Sequence, residues 1–218
     1  MRIIEGMKRV GAVERTRLPI TLSLLNSICL RISSVCNNQY ECLLFAAAYS
    51  LAFFGFFRVG EITVTKKEYT YKVLAISDVW IDVKAGILLL KLRYSKTDQC
   101  GKGVQIKLQR SESGVCPVNN MIQYLAIRPK VQGPLFCHFN GKPLTRYQFS
   151  AVLKKVLVVC NVNYQQYKSH SFRIGAATSA DKQGHSVETI KIAGRWSSEA
   201  YRSYIRNRTS ATLMPNLM

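Results

Sequence analysis

Acidic residues are scarce in this chain of 218 residues. It has 12 aspartates and glutamates against 31 lysines and arginines, so its formal net charge is +19 at pH 7. The basic residues are spread along the chain and form no terminal tail, which indicates a basic face on a folded domain. Such an excess predicts a polyanionic partner. Nucleic acid is favoured over an anionic membrane, because phosphate contacts dominate this kind of binding.

A long uninterrupted hydrophobic segment is also missing. The longest apolar stretch, Leu43 to Phe57, is bracketed by Glu41 and Arg58 and is shorter than the roughly 20 residues that a membrane helix needs. No secretory signal pattern begins the sequence. We therefore expect no membrane association, an intracellular location that is nuclear if the host is eukaryotic, and a core built around this stretch as a buried helix.

Closely paired cysteines do not occur. The seven cysteines include no Cys-x-x-Cys pair, and most have apolar neighbours, which is typical of buried thiols in a reducing compartment. The three histidines, His138, His170 and His185, are too scattered to suggest a ligand set. The sequence therefore predicts neither a metal ion nor a cofactor.

Helical periodicity dominates the hydrophobic pattern. Thr21 suits an N-cap before a first amphipathic helix, and a second helix is predicted over about 39–56. Pro117 and Thr145 suit the starts of two later helices. Alternating apolar residues predict strands at 79–81, 87–92 and 104–108. The expected fold class is α+β, mainly helical, with a small three-stranded antiparallel sheet.

Side chains suited to phosphate chemistry are concentrated between Ser169 and Arg206. They are His170, Arg173, Arg195, Trp196, Tyr201 and Tyr204. His170 and Arg173 stand three residues apart, as do Tyr201 and Tyr204, so each pair shares a face if its segment is helical. Taken alone, the pattern also suits two amphipathic helices whose polar side chains are simply satisfied.

Three separated motifs together resemble the catalytic domain of the tyrosine recombinases, the phage-integrase family. They are Arg58-Val59-Gly60-Glu61 after the apolar helix, Lys96 between two predicted strands, and the segments HSFRIGAAT and GRWSSEAYRSYIR. The residues of the last motif are similar to those of enzymes from eukaryotic Crypton and DIRS-like mobile elements. The resemblance covers roughly residues 37–210.

This resemblance implies a division of the chain. Residues 1–19 would be the remnant of a basic linker, 20–210 the mainly helical recombinase catalytic domain, and 211–218 a C-terminal tail. Members of the family carry a DNA-clamping domain before the linker, and we expect that domain to be absent here.

The resemblance also implies DNA strand breakage and rejoining through a 3′-phosphotyrosine, as in site-specific recombination or integration. Arg58 and Arg173 would hold the nonbridging oxygens of the scissile phosphate. A guanidinium can donate to two oxygens at once, whereas the lysine ammonium acts as a single point charge. Lys96 would protonate the leaving 5′-oxygen, and His170 would move protons or bind the phosphate.

The remaining positions have supporting parts in that scheme. Trp196 stands where many relatives have histidine, and its indole N–H can donate to a phosphate oxygen but cannot transfer protons. Glu61 would orient Arg58 or cap its helix, and Arg195 is expected to contact the DNA backbone.

Either of two tyrosines is a candidate nucleophile. The family usually places it nine residues after the His/Trp position, whereas Tyr204 follows Trp196 by eight residues and Tyr201 by five. Both are expected on the last helix. We favour Tyr204, which is nearer in spacing and precedes Ile205-Arg206 as in the similar mobile-element enzymes, and Tyr201 is the alternative.

Two other functions fit the same residues. One is a catalytically idle DNA-binding protein derived from a recombinase, and the other is a type IB topoisomerase-like enzyme. All three predict double-stranded DNA as the partner. A recombinase would also form a homo-oligomer, a tetramer on paired sites, but the residues leave the oligomeric state open.

Overall fold

The computed structural model describes residues 17–65, 72–94, 103–112 and 114–206. Its helices are α1 (Leu22–Arg31), α2 (Gln39–Phe54), α3 (Val59–Ile62), α4 (Pro117–Ile127), α5 (Arg146–Val159), α6 (His170–Lys182) and α7 (Val187–Gly194). Its strands are β1 (Val79–Asp82), β2 (Ile87–Leu92) and β3 (Val104–Gln109). Short 3-10 segments include Ile76–Asp78, Tyr164–Gln166 and Glu199–Tyr204.

The three strands form one antiparallel sheet in the order β1-β2-β3. Leu90 of β2 pairs with Val79 on one side and with Ile106 on the other. Leu88, Leu90 and Leu92 are buried, so alternate residues of β2 face the core while Lys91 faces outward. The predicted strands and the α+β class are confirmed, and β1 and β3 each extend one residue further than predicted.

Helix α2 is the centre of the core, and α4 and α6 pack against it. Its residues from Leu44 to Phe53 are buried except Ala46. The predicted end at Phe56 is wrong by two residues. Gly55 caps the helix, and Phe56 has a φ of 50°, a left-handed conformation that no α-helix continues through.

The predicted helix starts are confirmed by their capping bonds. The Thr21 hydroxyl accepts a hydrogen bond from the Leu24 N–H at 3.2 Å, and Thr145 and Gln148 form a reciprocal capping box at the start of α5. Pro117 occupies the first turn of α4. These local signals lie in the sequence itself, which is why the periodic pattern located the helices well.

Helix α6 is fastened to the segment that precedes α1. The Ile20 N–H donates to the Ser171 carbonyl and the Leu18 N–H to the Gln166 carbonyl, each at 3.0 Å. Gly175 makes this contact sterically feasible, because a Cβ at that position would lie 1.8 Å from the Ile20 carbonyl oxygen. The segment 18–20 therefore fixes the start of α6 against the core.

Replacing Gly175 with alanine is expected to destabilise the domain by about 3 kcal/mol, the upper end of the usual cost of overpacking, because the clash is with backbone that cannot change rotamer. Thermal or urea unfolding would measure the loss. Gly60→Ala is the matched control, since a Cβ there meets nothing within 4 Å. Equal stability of the two variants would contradict the tight packing of α6 on Ile20.

Candidate active site

Five of the residues singled out in the sequence come together where α3, α6 and the segment after α7 meet. Arg58 is the N-cap of α3, His170 and Arg173 lie in the first turn of α6, Trp196 follows α7, and Tyr204 ends the last 3-10 segment. The first and last of these residues are 146 positions apart in the chain. Their proximity therefore depends on the packing of α6 against α2.

Arg173 is fully buried at the centre of this group. Its Nη1 donates to the Phe56 carbonyl and its Nη2 to the Gly194 carbonyl, the latter at 2.9 Å. Burial, together with the charges of Arg58 and Arg195, lowers the pKa of Arg173 to about 10, so it remains charged at neutral pH. Its Nε is also buried and has no hydrogen-bond partner among the described residues.

His170 and Tyr204 share a hydrogen bond. The His170 Nε2 lies 2.8 Å from the Tyr204 hydroxyl oxygen, and the ring centroids are 5.4 Å apart. Partial burial is the main cause that lowers the pKa of His170, and the positive charges of Arg173, Arg17, Arg58 and Arg146 act in the same direction. The imidazole is therefore neutral at pH 7 and can accept the phenol proton.

Trp196 fills the space between the cation and the phenol. The centroid of its ring lies 4.6 Å from the guanidinium carbon of Arg173 and 4.9 Å from the ring centroid of Tyr204. Gly194 leaves room for it, because a Cβ there would lie 1.7 Å from the indole. The Trp196 ring thus contacts the guanidinium of Arg173 and the ring of Tyr204, and it holds both side chains in place.

Glu61 joins Arg58 to Arg195. One carboxylate oxygen accepts from Arg58 Nη1 at 3.0 Å, and the other accepts from the Arg58 backbone N–H and from Arg195 Nη2, both at 2.8 Å. Glu61 therefore both orients Arg58 and caps α3. The Arg195 side chain is only 4% exposed, so it lies inside the protein and not at the surface where a contact with the DNA backbone was expected.

The two tyrosines have different surroundings. The segment Glu199–Tyr204 is a 3-10 helix and not the expected α-helix, and its three residues per turn set Tyr201 and Tyr204 about 6 Å apart along the axis. Tyr201 is buried near Lys191, whose Nζ lies 5.8 Å from its ring centroid. Only Tyr204 of the pair bonds to His170 and lies beside Arg173, with its ring centroid 5.3 Å from the guanidinium carbon.

Some expectations from the sequence fall on other parts of the chain. Lys96 lies outside the described residues, as do most of the proposed linker and the whole of the tail. Among the described residues, no cluster of histidine, cysteine or acidic side chains has the composition of a metal site. No helix in the described ranges combines the length and apolarity needed to cross a bilayer.

Arg17 and Arg146 belong to the surroundings of His170 but were not singled out from the sequence. Both are exposed, and both lower the pKa of His170. Arg146 is placed by its backbone N–H, which donates to the Val64 carbonyl at 3.0 Å just after α3. No local motif marks either arginine, since their closeness to His170 arises from contacts between distant segments.

Comparison with solved structures decides the fold. The XerH site-specific recombinase bound to difH superposes with a TM-score of 0.64 at 16% identity, over 88% of this chain and 51% of that one. The chain has the tyrosine recombinase catalytic fold. The XerA recombinase (TM-score 0.65, 17% identity, 89% of this chain and 62% of that one) shares this recombinase fold.

A lambda integrase dimer bound to a COC′ core site matches the recombinase fold as well, with a TM-score of 0.62 and 17% identity, over 92% of this chain. The chain spans between 51% and 62% of the length of these solved recombinases. Neither protein-family models nor curated protein sequences match the chain.

Proposed function

We propose that the protein breaks and rejoins DNA strands through a 3′-phosphotyrosine, as a site-specific recombinase or integrase. The observation that carries this proposal is the bond between His170 Nε2 and the Tyr204 hydroxyl, made beside Arg173. A nucleophile, a neutral base and a buried cation converge from separate segments, and the net charge of +19 favours a DNA partner.

The chemical step can be assigned to individual groups. His170 Nε2 takes the phenol proton while the Tyr204 oxygen forms a bond to phosphorus, and the bond from phosphorus to the 5′-oxygen breaks. Arg58 and Arg173 stabilise the charge on the nonbridging oxygens, which is the main requirement of phosphoryl transfer. Lys96 donates the proton that the departing 5′-oxygen needs, and no metal ion takes part.

The source of the protein is part of the same proposal. HSFRIGAAT and GRWSSEAYRSYIR support a recombinase of the kind found in Crypton and DIRS-like mobile elements. Recombination by this kind of enzyme would take place between paired sites, with several copies of the chain assembled on DNA.

A covalent protein–DNA band on a denaturing gel would test the proposed function. The substrate is a pool of duplexes of randomised sequence that carry nicks at different positions, so that cleavage beside a nick releases a short 5′-hydroxyl fragment that diffuses away. We expect the protein to be trapped on DNA as the phosphotyrosine. Relaxation of supercoiled plasmid without exchange between sites would instead favour a type IB topoisomerase-like activity.

One observation favours a second candidate, an idle DNA-binding protein. Arg173 has no exposed surface, and both of its terminal nitrogens are bonded to backbone carbonyls. If these bonds persist on DNA, the guanidinium cannot reach a phosphate. Salt-sensitive DNA binding without any covalent band would support this candidate over the recombinase.

His170 provides a pH test of the assigned base. We expect its imidazole in the free protein to titrate below the ordinary value of about 6.5, because burial and nearby arginines disfavour the charged form. At pH values between the pKa of His170 in the folded state and its pKa in the unfolded state, the folded state binds fewer protons. The contribution of His170 to the free energy of unfolding therefore rises with pH and is lost on acidification. An NMR titration measures the pKa of His170, and the His170→Gln variant assigns its signal. A pKa at or above about 6.5 would contradict the expected lowering.

A further inference from the structure

Arg195 donates several hydrogen bonds to acceptors inside the protein. Its Nη1 donates to the Gly55 carbonyl and its Nη2 to the Phe56 carbonyl, both at 3.0 Å, and Nη2 also donates to Glu61 at 2.8 Å. The guanidinium carbon lies 5.1 Å from the centre of the Phe57 ring. All of these partners belong to the corner between α2 and α3, so Arg195 ties the end of α7 to that corner.

Two of these acceptors also serve the phosphate-binding arginines. Glu61 accepts from Arg58 as well as from Arg195. The Phe56 carbonyl accepts from Arg173 as well as from Arg195. Arg195 therefore bonds to one group that orients Arg58 and to one group that orients Arg173.

The backbone conformation indicates that the side chain at this position matters. Arg195 has φ 55° and ψ 49°, the left-handed conformation in which glycine is the favoured residue at a helix end. The chain has an arginine there and buries its charge, which is costly unless the charge is fully paired. Burial lowers the pKa of Arg195, whereas the neighbouring Glu61 carboxylate raises it.

We propose that Arg195 is a positioning residue of the DNA-cleaving site, which holds Glu61 and the Phe56 carbonyl so that Arg58 and Arg173 face the same phosphate. This inference rests on the function proposed above. Trp196 follows directly, so the same bonds also anchor the segment that leads to Tyr204. The Arg195 side chain thereby positions both the phosphate-binding arginines and the tyrosine nucleophile.

The charge of Arg195 has a second effect. Glu61 alone with Arg58 would form a closed ion pair and neutralise the guanidinium that the phosphate needs. With Arg195 sharing the carboxylate, Arg58, Arg195 and Glu61 together keep a surplus of positive charge. Lysine at 195 would keep the charge, but its single nitrogen could not take both positions from which Nη1 and Nη2 of Arg195 reach their acceptors.

The test compares Arg195→Lys and Arg195→Gln with the parent and with Arg31→Gln, which removes an exposed arginine at the end of α1. The readouts are duplex affinity as a function of salt and the single-turnover rate of adduct formation on saturating nicked substrate. We expect affinity within twofold of the parent and rates lower by about 100-fold in both Arg195 variants, the usual effect of misplacing a reacting group by about 1 Å. Arg31→Gln should keep the parental rate.

A double-mutant cycle with Glu61→Gln supplies a readout that needs no activity. Arg195→Gln and Glu61→Gln should each lower the melting temperature, and the double variant should lose less than the sum, because each single change leaves a buried charge that has lost a partner.

Three results would overturn the role of Arg195. The first is that the losses of melting temperature in the double-mutant cycle are additive. The second is that the cleavage rate falls no further than the fraction of folded protein does. The third is that the slope of log affinity against log salt becomes about 0.9 less steep, which would make Arg195 a DNA contact. A parent that forms no adduct would count against the proposed function, while the cycle would still decide whether Arg195 and Glu61 are coupled.

Discussion

Tyr204→Phe is expected to abolish the covalent protein–DNA adduct and to leave the fold and the DNA affinity unchanged. The substitution removes the hydroxyl that bonds to His170 Nε2, and phenylalanine keeps the ring that packs against Trp196. Under the proposed function the Tyr204 oxygen is the group that attacks phosphorus, so its removal should stop adduct formation. A denaturing gel with nicked substrate measures the adduct, and thermal melting measures the fold.

Tyr201→Phe is the matched control for this experiment. The Tyr201 ring lies near Lys191 and Arg202, away from the His170 imidazole, so the adduct should form at a rate close to that of the parent. The opposite pattern would make Tyr201 the nucleophile. An adduct that persists in both single variants would rule out the site as assigned.

Arg173→Lys is expected to lower the cleavage rate by at least about 100-fold, because an ammonium cannot fork onto the phosphate as a guanidinium does. It should also destabilise the protein by about 1 to 3 kcal/mol, since a lysine cannot satisfy both buried carbonyls that Arg173 now joins. The rate should therefore be measured at a temperature at which the variant is still folded.

Arg128→Lys separates the two effects. Arg128 is also buried, and it donates to the carbonyls of Leu135, Pro129, Val131 and Pro134 at the end of α4. We expect it to lose stability as Arg173→Lys does, but to keep the parental cleavage rate per folded molecule. Parental cleavage by Arg173→Lys would remove Arg173 from the chemistry.

The sequence predicted the fold well wherever a structure is specified locally. Thr21, Pro117 and Thr145 are capping signals whose physics acts within one helical turn, and the alternation in β2 distinguishes the core face from the solvent face. The end of α2 was missed because the left-handed turn at Phe56 is stabilised by packing and by bonds to its carbonyl from distant arginines.

The sequence singled out residues that the structure brings together, but it did not reveal how they are arranged. Arg58, His170, Arg173, Trp196 and Tyr204 lie together, as their motifs suggested. The 3-10 geometry of Glu199–Tyr204 and the burial of Arg195 could not be read from spacing, because both depend on contacts across the domain. The same holds for Arg17 and Arg146, which approach His170 from remote segments.

The close packing of the Ile20 backbone against Gly175 has a mechanical consequence. Segment 18–20 is bonded to the backbone at Gln166 and Ser171, and no side chain at 175 separates it from α6. A pull on the chain at residue 17 would therefore load the first turn of α6, where His170 and Arg173 stand, before it loaded the sheet or α4. The positions of His170 and Arg173 are therefore tied directly to the path of the chain that enters the domain at residue 17.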